Sequence, residues 1–122
     1  MRVFTSGFLA ASLMVLASVG PALSWGAIAV DDEAGTDPEQ VGYGSVTGYD
    51  NRAEAASDAM AACQNEGNDN CRLAVTFQKC GAYAASLNQY GVGRATTLQQ
   101  AEQRALADCG GSDCHLVVSD CE

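Results

Sequence analysis

Histidine occurs once in this 122-residue chain, as His115. A catalytic or metal-binding histidine needs partners, and there is no second imidazole to supply one. His115 opens an alternating run in opposite phase to Leu116 and reads as an ordinary strand residue on an outer face. The C-x-x-C motif is missing, which removes the usual device for thiol–disulfide exchange. Zinc favours C-x₂₋₄-C pairs; Cys109 and Cys114 come within that spacing, but Cys63 and Cys71 do not, so no metal is expected. The run Asp31–Glu39 holds five carboxylates but lacks the D-x-[DN]-x-[DN]-G order of a calcium loop, and reads as a solvated acidic loop. Gly91-Val92-Gly93 is too short for a phosphate-binding fingerprint and marks close strand packing or a bulge. No catalytic, cofactor-binding or metal-binding residue is therefore nominated.

Positive charge is also scarce. Six Lys and Arg residues stand against fifteen Asp and Glu, for a formal charge of −9. That balance argues against nucleic acid and against anionic membrane surfaces, both of which need a cationic footprint. What the N-terminus does have is a leader pattern. Met1-Arg2 gives a positive start, residues 3–19 are mostly apolar, Pro21 breaks the run, and Ala22-Leu23-Ser24 places small residues at a cleavage site. The expectation is a secretory signal peptide over residues 1–24, cut before Trp25, leaving no membrane attachment. A single secreted domain over 25–122 follows, with a net charge of −10. Its apolar residues are mainly alanine, so a core of this size gains from extra staples.

Six cysteines supply them. All lie beyond the leader, and their even number in an exported chain reads as three disulfides. They fall into two matching triplets, Cys63, Cys71, Cys80 and Cys109, Cys114, Cys121. The triplets close two copies of a longer pattern, repeat one over 25–80 and repeat two over 81–122. Gly26-Ala27-Ile28-Ala29 matches Gly81-Ala82-Tyr83-Ala84, and each is followed by a glycine-rich stretch, Gly42–Val46 and Tyr90–Arg94. Asn51-x-x-Glu54 and Thr97-x-x-Gln100 then open helices as capping boxes. Ala55, Ala59 and Cys63 align with Ala101, Ala105 and Cys109 at the spacing of one helix face, with Ala56, Met60, Leu98 and Leu106 beside them. Polar turns and short alternating strands follow. The expected fold is α+β: two pseudo-symmetric ββαβ repeats forming one antiparallel or mixed sheet, with two helices packed on it. Symmetry selects Cys63–Cys71 and Cys109–Cys114 as local bridges and leaves Cys80–Cys121 as a long one joining the copies.

Residues 25–122 resemble domain-of-unknown-function family 4189, a family of small secreted bacterial proteins. The likeness is carried by Trp25-Gly26-Ala27-Ile28-Ala29 after the leader, Cys63 with Cys71, and Leu73-Ala74-Val75 leading to Lys79-Cys80-Gly81-Ala82. The second alanine-rich helix entering Cys109 and the closing Cys121 complete it. The resemblance implies a fold and an exported setting and brings no catalytic residues.

Three functions fit this sequence. The first is a secreted or periplasmic binding module for a protein or cell-envelope component, with Tyr43 and Tyr90 of the matching glycine-rich segments flanking a shared groove. The second is a small hydrolase using carboxylates such as Asp50 and Asp58. The third is a passive structural protein of the periplasm.

Overall fold

The computed structural model describes residues 24–33 and 36–122. The expected leader, Ser24 apart, lies outside the described residues, as do Ala34 and Gly35 of the acidic run. The first copy comprises β1 (Trp25–Asp31), a short 3-10 turn (Pro38–Gln40), β2 (Gly42–Tyr49), α1 (Arg52–Asn65) and β3 (Arg72–Phe77). The second repeats the order as β4 (Cys80–Ala85), β5 (Tyr90–Ala95), α2 (Leu98–Cys109) and β6 (His115–Cys121).

Both helices start where the capping boxes place them. The Asn51 side chain accepts a hydrogen bond from the Glu54 backbone N–H at 2.8 Å, and the Thr97 hydroxyl accepts one from Gln100 at 3.2 Å. Each thereby satisfies one of the orphan amides of a first helical turn. Helix α2 stops at Gly110, whose φ of +80° suits glycine alone without strain.

The strands divide into two antiparallel sheets of three, ordered β2-β1-β3 and β5-β4-β6, rather than joining in a single sheet. The reason lies in the central strands. Ala27 and Ala29 of β1 are buried against Ala55, Ala59 and Cys63 of α1, while Ile28 and Val30 point the other way. In β4, Ala82 and Ala84 meet Ala101, Ala105 and Cys109 of α2, while Tyr83 and Ala85 point the other way. Each central strand is apolar on both faces and must be covered on both. A helix covers one face and the other sheet covers the second, giving four layers: α1, sheet, sheet, α2. The main core, Ile28, Val30, Val75, Phe77, Tyr83 and Val118, fills the space between the sheets.

Alanine on the helices is matched by glycine on the strands. A Cβ at Gly44 would stand 2.3 Å from the Cys63 nitrogen, and one at Gly91 would stand 2.1 Å from the Cys109 nitrogen. The helix backbones thus lie directly on the strand backbones. This closeness leaves room only for the alanine and cysteine stripe, so Leu98 and Leu106, expected on that face, stay 42% and 38% exposed at its flanks.

The three disulfides are Cys63–Cys71, Cys109–Cys114 and Cys80–Cys121. The two local bridges tie each helix end to the approach of the following strand. The long bridge differs in role from the expectation. Cys80 opens β4 and pairs directly with Cys121 across the β4–β6 ladder, so the bond lies inside the second sheet and does not join the copies. By register Cys80 occupies the place of Trp25, and the second copy begins there rather than at Gly81. Among the described residues, no helix is long and apolar enough to cross a membrane.

Candidate functional site

Where the edge strands of the two sheets face each other, residues of both copies enclose a cavity of about 340 Å³. The first copy contributes Asp32, Val41 and Arg72; the second contributes Tyr83, Tyr90 and the β4–β5 turn Ser86–Gln89. That turn is fixed by the Ser86 hydroxyl, which accepts from the Gln89 backbone N–H at 3.1 Å. It forms a polar wall opposite the charged one.

Asp32 organises the charged wall. It follows directly on β1, so its carboxylate is set by a rigid strand end. Arg72, the first residue of β3, donates Nε to Oδ1 at 2.8 Å and Nη2 to Oδ2 at 2.5 Å. This forked geometry is the strong form of a carboxylate–guanidinium pair. The Tyr83 hydroxyl of the second copy donates to the same Oδ2 at 2.5 Å. The Arg72 guanidinium also lies 4.3 Å from the Tyr90 ring centroid, and the Tyr90 ring stacks on Tyr83 with centroids 6.1 Å apart. Four residues from two copies therefore form one connected network.

The network fixes protonation states. Burial pushes the Asp32 pKa up, but the hydrogen bonds from Arg72 and Tyr83 and the charge of Arg72 outweigh it and hold the carboxyl below its usual range. Its hydrogen bond to Asp32 raises the Arg72 pKa. Burial, then the bond to the Asp32 carboxylate, pushes the Tyr83 phenol well above its usual value. At neutral pH the site thus presents a carboxylate, a guanidinium and a neutral phenol, each committed to the others.

The residues singled out from sequence fall in different places. Tyr90 lines this cavity and is 55% exposed; Tyr43 lines separate depressions and is not brought to it. Asp50 and Asp58 are both exposed and neither lines the cavity. Asp58 instead lies by the Tyr49 hydroxyl and raises the Tyr49 pKa. The Asp31–Glu39 run is not wholly solvated, because Asp32 turns inward to Arg72 and the Asp37 side chain caps the 3-10 turn by accepting from the Glu39 N–H at 3.0 Å. Among the described residues, no three His, Cys, Asp or Glu side chains converge to hold a cation. Sequence reasoning passed over Arg72 and Asp32, which are 40 residues apart. The available signal was that both stand at strand ends flanking the same apolar pattern.

The model of the DUF4189 family, a domain of unknown function, matches residues 25–121. The chain belongs to the DUF4189 family. No curated protein matches it. The solved NMR structure of Rv1813c from Mycobacterium tuberculosis is similar, with a TM-score of 0.55 and 20% identity over 100% of this chain and 97% of that one. At that identity the likeness speaks for the fold alone. In this member of the DUF4189 family, the inter-copy cavity joins polar side chains of both copies in one network.

Proposed function

We propose that the protein is an exported binding module, acting in the periplasm or outside the cell, that engages a protein or cell-envelope component at the cavity between its two copies. The observation that carries this reading is the commitment of Asp32 to Arg72 and Tyr83. A general acid must hold a proton near working pH and a general base must be free to take one. Asp32, ionised and bonded on both oxygens, suits neither role, whereas a rigid carboxylate–guanidinium–phenol network suits recognition. The turn Ser86–Gln89 adds backbone and amide groups, and Tyr90 adds an aromatic surface half open to solvent. Such a mixture of a few fixed polar groups with an aromatic wall is typical of binding clefts.

Export is supported by the leader pattern of residues 1–24 and by three disulfides, which persist in oxidising compartments. Affinity capture from cell-envelope and host extracts tests the reading. The oxidised protein should retain a component that Tyr90→Ala, shown folded by its amide spectrum, retains poorly. Equal retention by both proteins would remove the cavity from the interaction, and turnover of a captured component would replace binding with catalysis.

A further inference from the structure

The two copies provide an internal comparison. By register, Tyr90 and His115 flank Ala85 in the second sheet as Tyr43 and Arg72 flank Val30 in the first. Tyr43 is therefore the counterpart of Tyr90, and His115 is the counterpart of Arg72. At the first location, Arg72 reaches across to the second copy, lies on the Tyr90 ring and is held by Asp32. At the counterpart location, Tyr43 of the first copy and His115 of the second line a depression of about 300 Å³. Its other walls include Glu39, Val41, Pro38 and Leu116.

The counterpart thus has the aromatic ring and a carboxylate, Glu39, but an imidazole where the first location has a guanidinium. A guanidinium offers five donors in a planar fork and stacks on aromatic faces; an imidazole does neither to the same degree. Tyr43 is 44% exposed and Leu116 is 37% exposed, so both ring and aliphatic surface are open to a partner. The adjoining depression brings Asp37 and Asp113 near the same rim, and no Lys or Arg lines either one. Over residues 25–122 the net charge of −10 also favours the approach of cations.

We propose that the Tyr43 depression is a docking site for a basic segment of a partner protein, in which an arginine takes the place on Tyr43 and Glu39 that Arg72 takes on Tyr90 and Asp32. Aliphatic residues beside that arginine pack on Pro38 and Leu116. This site shares only Val41 with the Arg72–Tyr90 cavity, and it stands or falls without reference to that cavity's role.

The test uses the oxidised protein and two peptides, acetyl-Leu-Arg-Leu-Arg-Leu-amide and the same peptide with citrulline at both arginine positions. Citrulline keeps the shape and removes the charge. Amide shifts in NMR should move at Tyr43, Glu39 and Leu116 on addition of the arginine peptide. Tyr43→Ala should weaken binding by about fivefold, the scale of a partly exposed cation–aromatic contact. Glu39→Gln, an exposed change that leaves the fold intact, should also weaken binding and flatten its dependence on salt. Tyr90→Ala should leave the affinity unchanged, which separates this site from the cavity. Equal binding of the citrulline peptide, shifts centred on Tyr90 instead, or no binding at millimolar peptide would each overturn the proposal. So would self-association of the protein that Tyr43→Ala abolishes, since the face would then belong to a second copy of the chain.

Discussion

Asp32 ties the two copies together through a single carboxylate. Its two oxygens receive three hydrogen bonds, from a guanidinium of its own copy and a phenol of the other. Asp32→Asn keeps the size and removes the charge, and should cost about 1–3 kcal/mol at neutral pH, as for hydrogen bonds to a charged group. The pH dependence identifies the cause. The Asp32 pKa is depressed in the fold. Between the folded value and the unfolded value of about 3.9 the unfolded chain binds more protons, so stability falls as pH falls. The contribution is complete above the unfolded value and is lost as pH drops through the folded one. The difference in melting temperature between the parent and Asp32→Asn should therefore shrink on acidification from about pH 5 to pH 2. Tyr83 has the opposite sign. Its pKa is raised, so its contribution is present below about pH 10 and fades above it, and Tyr83→Phe should lose that alkaline sensitivity. A gap that stays constant from pH 5 to pH 2 would mean Asp32 acts through packing alone.

At the scale of elements, the helix–strand contact is governed by missing atoms. A Cβ at Gly91 would meet backbone atoms of α2, the Cys109 nitrogen at 2.1 Å and the Ala105 oxygen at 2.4 Å, and neither can rotate away. Gly91→Ala should cost about 2–3 kcal/mol by overpacking. Gly48 has a φ of +84° and nothing near its would-be Cβ, so Gly48→Ala should cost only about 1 kcal/mol of backbone strain. Urea unfolding of the two variants checks the order, and equal losses would show that α2 can shift off the sheet. The disulfides rank by the loop each closes. Separations of 41 residues for Cys80–Cys121 and 5 for Cys109–Cys114 correspond to about 4 and about 2.2 kcal/mol in the chain-entropy account. Replacing Cys80 and Cys121 by Ala should thus lower the melting temperature more than replacing Cys109 and Cys114, and alkylation of the oxidised parent should find no free thiol.

Much at this scale was legible in advance. The capping side chains of Asn51 and Thr97, the alanine stripe and the polar turns are local signals, and each element stands where they put it. The division into two sheets was not legible. The unbroken apolar runs of β1 and β4 say that both faces are apolar, but Ile28 and Tyr83 look the same whether a helix or a second sheet covers them. The Asp32 network was hidden for a related reason. Five carboxylates in Asp31–Glu39 read as one solvated run, and only the packing of the first sheet on β4 and β5 brings Arg72, Tyr83 and Tyr90 to the second of them.

For the whole molecule, the two copies are halves of one core rather than two small domains. The alanine faces under the helices bury little area per residue, and the large side chains lie between the sheets. Phe77 is the wedge: its ring lies where side chains on Gly26 of the first copy and Gly81 of the second would otherwise stand. Segments 25–79 and 80–122 have 55 and 43 residues, a size at which a lone core rarely suffices, and each alone would expose its half of the central layer to water. Two results follow. Each segment expressed alone and oxidised should give a collapsed amide spectrum without helix–sheet dispersion. Phe77→Ala in the intact chain should cost about 3–5 kcal/mol and lower a single melting transition that all probes share. A folded isolated half, or a Phe77→Ala protein that melts in two steps, would make the copies autonomous. The cavity and the Tyr43 depression would then lie at a joint between domains rather than on the flanks of one shared core.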